Sequence, residues 1–296
     1  MTAKTIKREA YAKINLGLDV VRRLPNGYHE VRMIMQTVGI CDVLTFARAE
    51  RGIHLQVDRE ELPMDSNNLI YKAAKLLLDT AGITEGVRIT LEKHIPIAAG
   101  MAGGSTDAAA TFWGLNELFG LGYDIERLKA LGVKIGADVP YCIQGGTALA
   151  EGIGEVLSPL PAPPKCHLVI AKPDINVSTK FVYENLRVNE LKNHPDIDGM
   201  IEALREGSLS GITERLGNVL ETVTIPAYPV IQEIKDSMLA EGAENALMSG
   251  SGPTVFGIFT DPGRAVQAAA AITKAQLARE VFVTQFYYTE NKWRNT

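Results

Sequence analysis

Residues 10 to 20, AYAKINLGLDV, put an apolar side chain at every even position from Ala10 to Val20, with Lys13, Asn15, Gly17 and Asp19 among the odd ones. Successive side chains of a strand point to opposite faces, so this period of two predicts a strand with one buried face and sends Lys13 and Asn15 out together on the other. Pro25-Asn26-Gly27 is a turn signal, and the β-rich stretch over about 28–38 completes a hairpin. Residues 69–77, LIYKAAKLL, follow the capping material Asp65-Ser66-Asn67-Asn68 and read as an amphipathic helix. VRITL, 87–91, alternates again and leads into IPIAAGMAGGSTDAAATFWGLNELFG, 95–120, where Ala108, Phe112, Leu115 and Phe119 recur at helical spacing. A helix is therefore predicted from near Ser105, and the local order is strand, glycine-rich loop, helix.

Downstream, a shorter helix over about 125–131 is broken by IGADVP, and TALAEGIGEVLSPL reads as two strands around Gly152-Ile153-Gly154. PLPAPPK, 159–165, carries four prolines in seven positions and is the clearest boundary, which predicts two domains, 1–160 and 161–296. HLVIAKP is a predicted strand. Helical patterns cover 197–206, 211–222 and 228–241, ALMSGSGPTVFGIF predicts strand, glycine loop and strand, and AVQAAAAITKAQL and VFVTQFYY supply a last helix and strand. Strands and helices interleave without a regular βαβ repeat, so the fold class is α+β.

Of the 296 residues, 46% are hydrophobic, ample for two ordinary cores, and the formal net charge of -5 with no long run of Lys or Arg argues against nucleic acid or an anionic membrane as partner. A small molecule is the expected partner. Cys41, Cys142 and Cys166 are widely spaced and form no CxxC, so neither a disulfide framework nor a zinc site is indicated and a reduced cytoplasm is expected. MTAKTIKREAYAK lacks the apolar centre of a signal peptide, and no apolar run approaches a membrane span.

A helix N-terminus presents unpaired N–H groups and the positive end of its dipole, and glycines before it admit an anion to the backbone. GMAGGSTDAAA has that form, although a tight loop packing a small-residue helix against a sheet has it too. GxxxxGK[ST] is missing, no GxGxxG opens a helix after a strand, and HExxH, GxSxG and clustered Cys/His are missing as well. Any cation acting on a transferred phosphate must come from outside the loop.

AYAKINLGLDV, PIAAGMAGGSTDAAA and LMSGSGPTVFGIF resemble the three ordered motifs of the GHMP kinase superfamily, and the resemblance runs over nearly the whole chain. PNGYHE, IGADVP and GGTALAEGIGE resemble the branch whose acceptor is a cytidine diphosphate derivative of methylerythritol, in the non-mevalonate route to isoprenoids. The resemblance implies a two-domain GHMP kinase fold, with an N-terminal domain like ribosomal protein S5 domain 2 and a C-terminal ferredoxin-like α/β sandwich. It implies ATP and Mg²⁺, and a monomer or homodimer. Lys13 and Asp138 match the catalytic pair, the ammonium neutralising developing charge and the carboxylate accepting the hydroxyl proton; without the motif they read as a surface lysine and a turn aspartate.

By the same resemblance Pro96, Ile97, Ala98, Ala99, Gly100, Met101, Ala102, Gly103, Gly104, Ser105 and Thr106 line the ATP phosphates, with Asn68 and Lys93 at the adenosine end. Tyr28 and Tyr183 would sandwich the cytosine with His29 and Thr179 as polar neighbours. Asn15 would lie at the diphosphate or methylerythritol end, and Gly250, Ser251 and Gly252 would wall the transferred phosphate. Met101-Ala102 departs from the superfamily's Leu-Gly, and Thr106-Asp107-Ala108 from its Ser-Ala-type continuation. The second departure leaves the Ser105 hydroxyl as the candidate Mg²⁺ ligand on the protein, without an acidic companion. The alternatives are another GHMP kinase acting on homoserine or a mevalonate-type alcohol, a nucleotide-binding module without catalysis, and, more distantly, a dinucleotide oxidoreductase.

Overall fold

The alternating segment around Lys13 lies inside a strand longer than its pattern: β1 spans Thr5–Arg23, and β2 spans His29–Ala49. The structure is a computed structural model that describes residues 5–288. The chain divides into two compact units, one made of the chain up to Ala12, Ile40–Ile95 and Ala102–Gln144, the other of Lys13–Gly39, Pro96–Met101 and the chain from Gly145 on. Neither is a continuous stretch, because β1, β2 and the glycine loop each contribute residues to both.

The first unit adds β3 (Ile53–Val57), α1 (Leu69–Ala81), β4 (Gly86–Glu92), α2 (Gly103–Phe119), α3 (Ile125–Gly132) and α4 (Val139–Gln144). Val43–Ala49 of β2 pair antiparallel with β4, and β3 joins β4 in parallel, the two linked through α1. The Asn68 side chain caps α1 by accepting the Ile70 N–H, and Gly82 ends it in a left-handed conformation. Phe46, Leu77, Ile89, Phe112 and Leu115 form the centre of one buried cluster, each contributing roughly 1.5–3 kcal/mol by leaving water. A Cβ on Gly114 would sit 2.4 Å from the Phe46 ring, so a glycine lets α2 lie against that strand.

The second unit contains β5 (Thr147–Glu151), β6 (Val156–Leu160), β7 (His167–Lys172), α5 (Thr179–Asn185), α6 (Ile197–Glu206), α7 (Leu209–Thr213), β8 (Gly217–Asn218), α8 (Glu221–Ala227), α9 (Val230–Ala240), β9 (Asn245–Met248), β10 (Val255–Phe259), α10 (Pro262–Lys274) and β11 (Glu280–Thr284). β5 pairs with β6 and with Met33–Gln36 of β2. β11, β7, β10 and β9 form a four-stranded antiparallel sheet in that order, against which α9 and α10 pack. Sheets and helices together make the fold α+β. Among the described residues, no helix is long and apolar enough to cross a membrane.

Two expectations need correction. β1 is not a strand with one wet face: Lys13 and Asn15 are buried, and a Cβ on Gly17 would meet Ile197 of α6 at 2.7 Å. The single helix expected over 211–222 is absent. Ser208 caps the short α7 by accepting the Gly211 N–H, Gly217 and Leu18's partner Asn218 pair in parallel with β1, and α8 starts only at Glu221. A ladder to a strand two hundred residues earlier overrides the local helical period. β3, α4 and α5 have no counterpart in the sequence reading; α4 begins directly after Asp138, inside the expected break.

Candidate active site

In the second unit, Lys13 is 5% exposed and its ammonium donates to Asn15 Oδ1 at 2.8 Å, while the Lys13 backbone N–H donates to Met101 O at 3.2 Å. Asn15 Nδ2 in turn faces Met33 Sδ at 3.3 Å. Ser249 Oγ donates to Gly100 O at 3.1 Å, and a Cβ on Gly250 would stand 3.2 Å from Gly100 O and 3.6 Å from Asn15 Oδ1. The Ser251 and Thr179 hydroxyls share a hydrogen bond of 2.8 Å. Lys13, Asn15, Gly100, Gly250, Ser251 and Thr179 are thus brought together from four distant parts of the sequence. Tyr183, one helical turn beyond Thr179, sets its ring 5.1 Å from that of His29 at a 35° tilt. Tyr28 is largely exposed. Partial burial, aided by the charge of Arg23, lowers the His29 pKa below its usual value and favours a neutral ring with one donor and one acceptor.

The glycine loop carries left-handed backbone at Ala98, Gly100 and Ala102, with φ of 52°, 71° and 57°. For an alanine that conformation costs about 1–2 kcal/mol, so the loop is held in shape by its surroundings. Ala102 is the N-cap of α2 and offers no side-chain hydrogen bond, leaving the first-turn N–H groups to an external acceptor. Thr106 is buried, with its hydroxyl committed to Tyr11 O at 2.7 Å; the half-buried Ser105 hydroxyl has no hydrogen-bond partner among the described residues.

The glycines differ in what they permit. A Cβ on Gly100 would fall 2.4 Å from Ser249 O, whereas on Gly104 it would make only an ordinary 3.4 Å contact with Leu69. Gly100→Ala is therefore expected to break the loop and lower the melting temperature. Gly104→Ala should keep the wild-type melting temperature. Thermal melts of the pair check both statements; equal melting temperatures would reject the steric argument.

In the first unit, Lys93 is buried between two carboxylates, 2.5 Å from Asp42 Oδ2 and 2.7 Å from Asp107 Oδ2. Asp42 Oδ1 also accepts the N–H groups of His94 and Ile95 at 2.6 and 2.7 Å, but Asp107 Oδ1 is buried without a partner. Burial works against the Lys93 ammonium, yet the attraction of Asp107 and Asp42 outweighs it and raises the pKa. For Asp107, burial and the neighbouring Asp42 outweigh Lys93 and push the carboxyl well above its usual range. Two of the three ammonium N–H groups are committed, leaving one for a ligand. A Cβ on Gly103 would lie 3.0 Å from this nitrogen, so Lys93 stands directly beside the first residue of α2. Asn68 spends its amide on the Ile70 N–H and on Pro63 O. Asp138 is half-buried and its carbonyl accepts the Cys142 N–H at the start of α4; it belongs to the first unit and Lys13 to the second.

Residues 68–146 match the family described as GHMP kinases N terminal domain, and residues 200–278 match GHMP kinases C terminal. A protein of Lachnoclostridium phytofermentans named 4-diphosphocytidyl-2-C-methyl-D-erythritol kinase is 52% identical over 97% of this chain and 99% of its own length. The chain belongs to the GHMP kinase family. A relative of the same name from Lachnospira eligens is also 52% identical, over 96% of this chain and 99% of its own. A crystal structure of 4-(cytidine 5'-diphospho)-2C-methyl-D-erythritol kinase superposes with a TM-score of 0.82 at 35% identity, covering 96% of this chain and 100% of the other. Homoserine kinase from Cytophaga hutchinsonii reaches 0.78 at 22% identity, over 96% and 95% of the two chains, and shares the fold.

Three residues of this GHMP kinase escaped the sequence reading. Asp42 falls on the alternation of Ile40, Leu44 and Phe46, where a charged residue signals a buried partner, whereas Asp107 lies off the stripe of Ala108, Phe112, Leu115 and Phe119 and gives no such signal. Asn218 is buried, donates to Met248 O and Gly250 O, both at 2.8 Å, and lies in the stretch read as helix, where an Asn carries no signal of its own.

Proposed function

We propose that this GHMP kinase transfers the γ-phosphoryl group of ATP to the 2-hydroxyl of 4-diphosphocytidyl-2-C-methyl-D-erythritol, giving the 2-phosphate and ADP, in the cytoplasm, as a monomer or homodimer. The observation that carries this is identity of 52% over 97% of the chain to a relative of that name. The His29–Tyr183 ring pair, joined through Thr179 and Ser251 to the neighbourhood of Asn15 and Lys13, adds to it. A flat base can stack there, whereas homoserine or mevalonate has none to stack. Family matches on either side of residue 160 support a nucleotide-binding half, 1–160, and a second half, 161–296.

In this reading Lys13, held by Asn15, supplies positive charge at the transferred phosphoryl group, and Asp138 takes the proton of the acceptor hydroxyl. The backbone from Pro96 to Thr106 cradles the phosphates, with the remaining Lys93 N–H and the edge of Asn68 at the nucleoside. His29 and Thr179 read the cytosine edge between the rings of Tyr28 and Tyr183. Gly250, Ser251 and Gly252 border the transferred group.

Among the described residues no group of three or more His, Cys, Asp and Glu is arranged to hold a metal. The unpartnered Ser105 hydroxyl fits Mg²⁺ bound mostly by phosphates and water, as its reluctance to dehydrate favours. Bound in that way, Mg²⁺ supplies neutralisation of phosphate charge. Incubation with ATP, Mg²⁺ and, separately, 4-diphosphocytidyl-2-C-methyl-D-erythritol, homoserine and mevalonate should release ADP only with the first. ADP release with homoserine or mevalonate alone would overturn the substrate assignment.

A further inference from the structure

Residues 218, 221 and 224 are three apart in sequence, and all three side chains reach the same short segment. Asn218 Nδ2 donates to Met248 O and Gly250 O, while its Oδ1 accepts the Leu220 N–H at 3.0 Å. Glu221, paired with Lys235, accepts the Met248 N–H at 2.8 Å, and the Thr224 hydroxyl shares its one proton between Ser251 O at 3.3 Å and Leu220 O at 3.2 Å. The base of this clamp is fixed to the strand that bears Lys13: Gly217 and Asn218 pair with Gly17 and Leu18, and the Val219 N–H donates to Leu18 O.

The clamp determines where the loop's donors point. A peptide unit is planar and trans, so the N–H of one residue points away from the carbonyl of the residue before it. Gly250 O is held by Asn218, which turns the Ser251 N–H to the opposite side; Ser249 O is held by the Gly252 N–H, which does the same for the Gly250 N–H. Gly250 and Ser251 are buried, and neither N–H has an acceptor among the described residues. Two adjacent amides without acceptors in buried residues are rare in proteins, and neighbouring backbone N–H groups of this kind are suited to an anionic oxygen.

We propose that Asn218, assisted by Glu221 and Thr224, is a positioning residue that presents the Gly250 and Ser251 N–H groups to a phosphate oxygen during transfer. This rests on the kinase reading given above. Asn218 touches no substrate; it acts through the loop, in the way that fixed amides stabilise charge developing in a transition state.

Asn218→Asp keeps size and the bond to the Leu220 N–H but cannot donate to either carbonyl. It is expected to lower kcat by roughly 10²-fold, with the KM for ATP within about threefold of wild type. Thr224→Val removes the hydroxyl contacts to Ser251 O and Leu220 O and is expected to lower kcat by roughly threefold to tenfold, and it keeps the test open if the aspartate variant does not fold. Amide resonances of Gly250 and Ser251 should shift on adding nucleotide and acceptor to wild type but not to Asn218→Asp. Equal kcat in wild type and in the folded variants, or unmoved amides in an active wild type, would overturn the proposal. A wild type inactive on every acceptor would instead overturn the kinase reading.

Discussion

Lys13→Ala and Asp138→Asn should each lower kcat by about 10²–10⁴-fold while the Kd for ATP changes by less than about threefold. The split follows from when each group acts. Charge on the equatorial oxygens and on the leaving oxygen grows only as the phosphoryl group moves, so an ammonium aimed there contributes more in the transition state than in the bound ground state. In the proposed role, the Asp138 carboxylate would likewise have a proton to accept only as the acceptor oxygen forms its new bond. Lys13 is buried and bonded to Asn15 Oδ1, so its truncation also strands that oxygen, at a cost of about 1–3 kcal/mol. Lys13→Ala should therefore melt earlier than wild type. Asp138→Asn keeps its shape and its backbone bond to Cys142. Calorimetric titration with ATP beside steady-state rates tests the assignment; lost nucleotide affinity with near-normal kcat would remove both residues from the chemistry.

The parts of the site that were legible in the sequence are those whose chemistry is local. Two-residue alternation placed Lys13 and Asn15 on one face of β1, and the glycine loop before α2 was visible as bare backbone ahead of an apolar stripe. What the sequence hid is everything decided by a distant partner. The second face of β1 is covered at Gly17 by Ile197, some 180 residues on. The interruption at Gly217 and Asn218 depends on a ladder to Gly17 and Leu18, which helical periodicity over 211–222 could not register. Lys93 reads as a strand lysine until Asp42 and Asp107, from two other elements, close on it. Local pattern sets element type, but whether a polar side chain is solvated or buried is a property of the tertiary neighbours.

That buried trio gives the largest expected effect on stability. With both carboxylates ionised, Asp42, Lys93 and Asp107 would hold one net negative charge out of contact with water. The imbalance falls on Asp107: Asp42 accepts three hydrogen bonds, while Asp107 has one oxygen on Lys93 and the other without a partner. Lys93→Met leaves two buried carboxylates uncompensated, and Asp42→Asn turns an amide donor toward the ammonium or toward the His94 and Ile95 N–H groups. Each should cost about 3–5 kcal/mol of unfolding free energy. Asp107→Asn retains an acceptor for Lys93 and removes the surplus charge, so it should lie within about 1 kcal/mol of wild type at neutral pH, or be more stable. The pH dependence distinguishes this from a simple volume effect. A carboxyl whose pKa is raised in the folded state binds its proton more tightly there than in the unfolded chain. Its stabilising contribution is complete below the unfolded value of about 3.9 and is lost as pH rises through the folded one. Wild-type stability should therefore fall across that window relative to Asp107→Asn, which lacks the titrating group. Denaturant melts of the two proteins at a series of pH values give the difference directly; parallel curves, or an Asp107→Asn variant as damaged as Asp42→Asn, would show that Asp107 carries no excess charge.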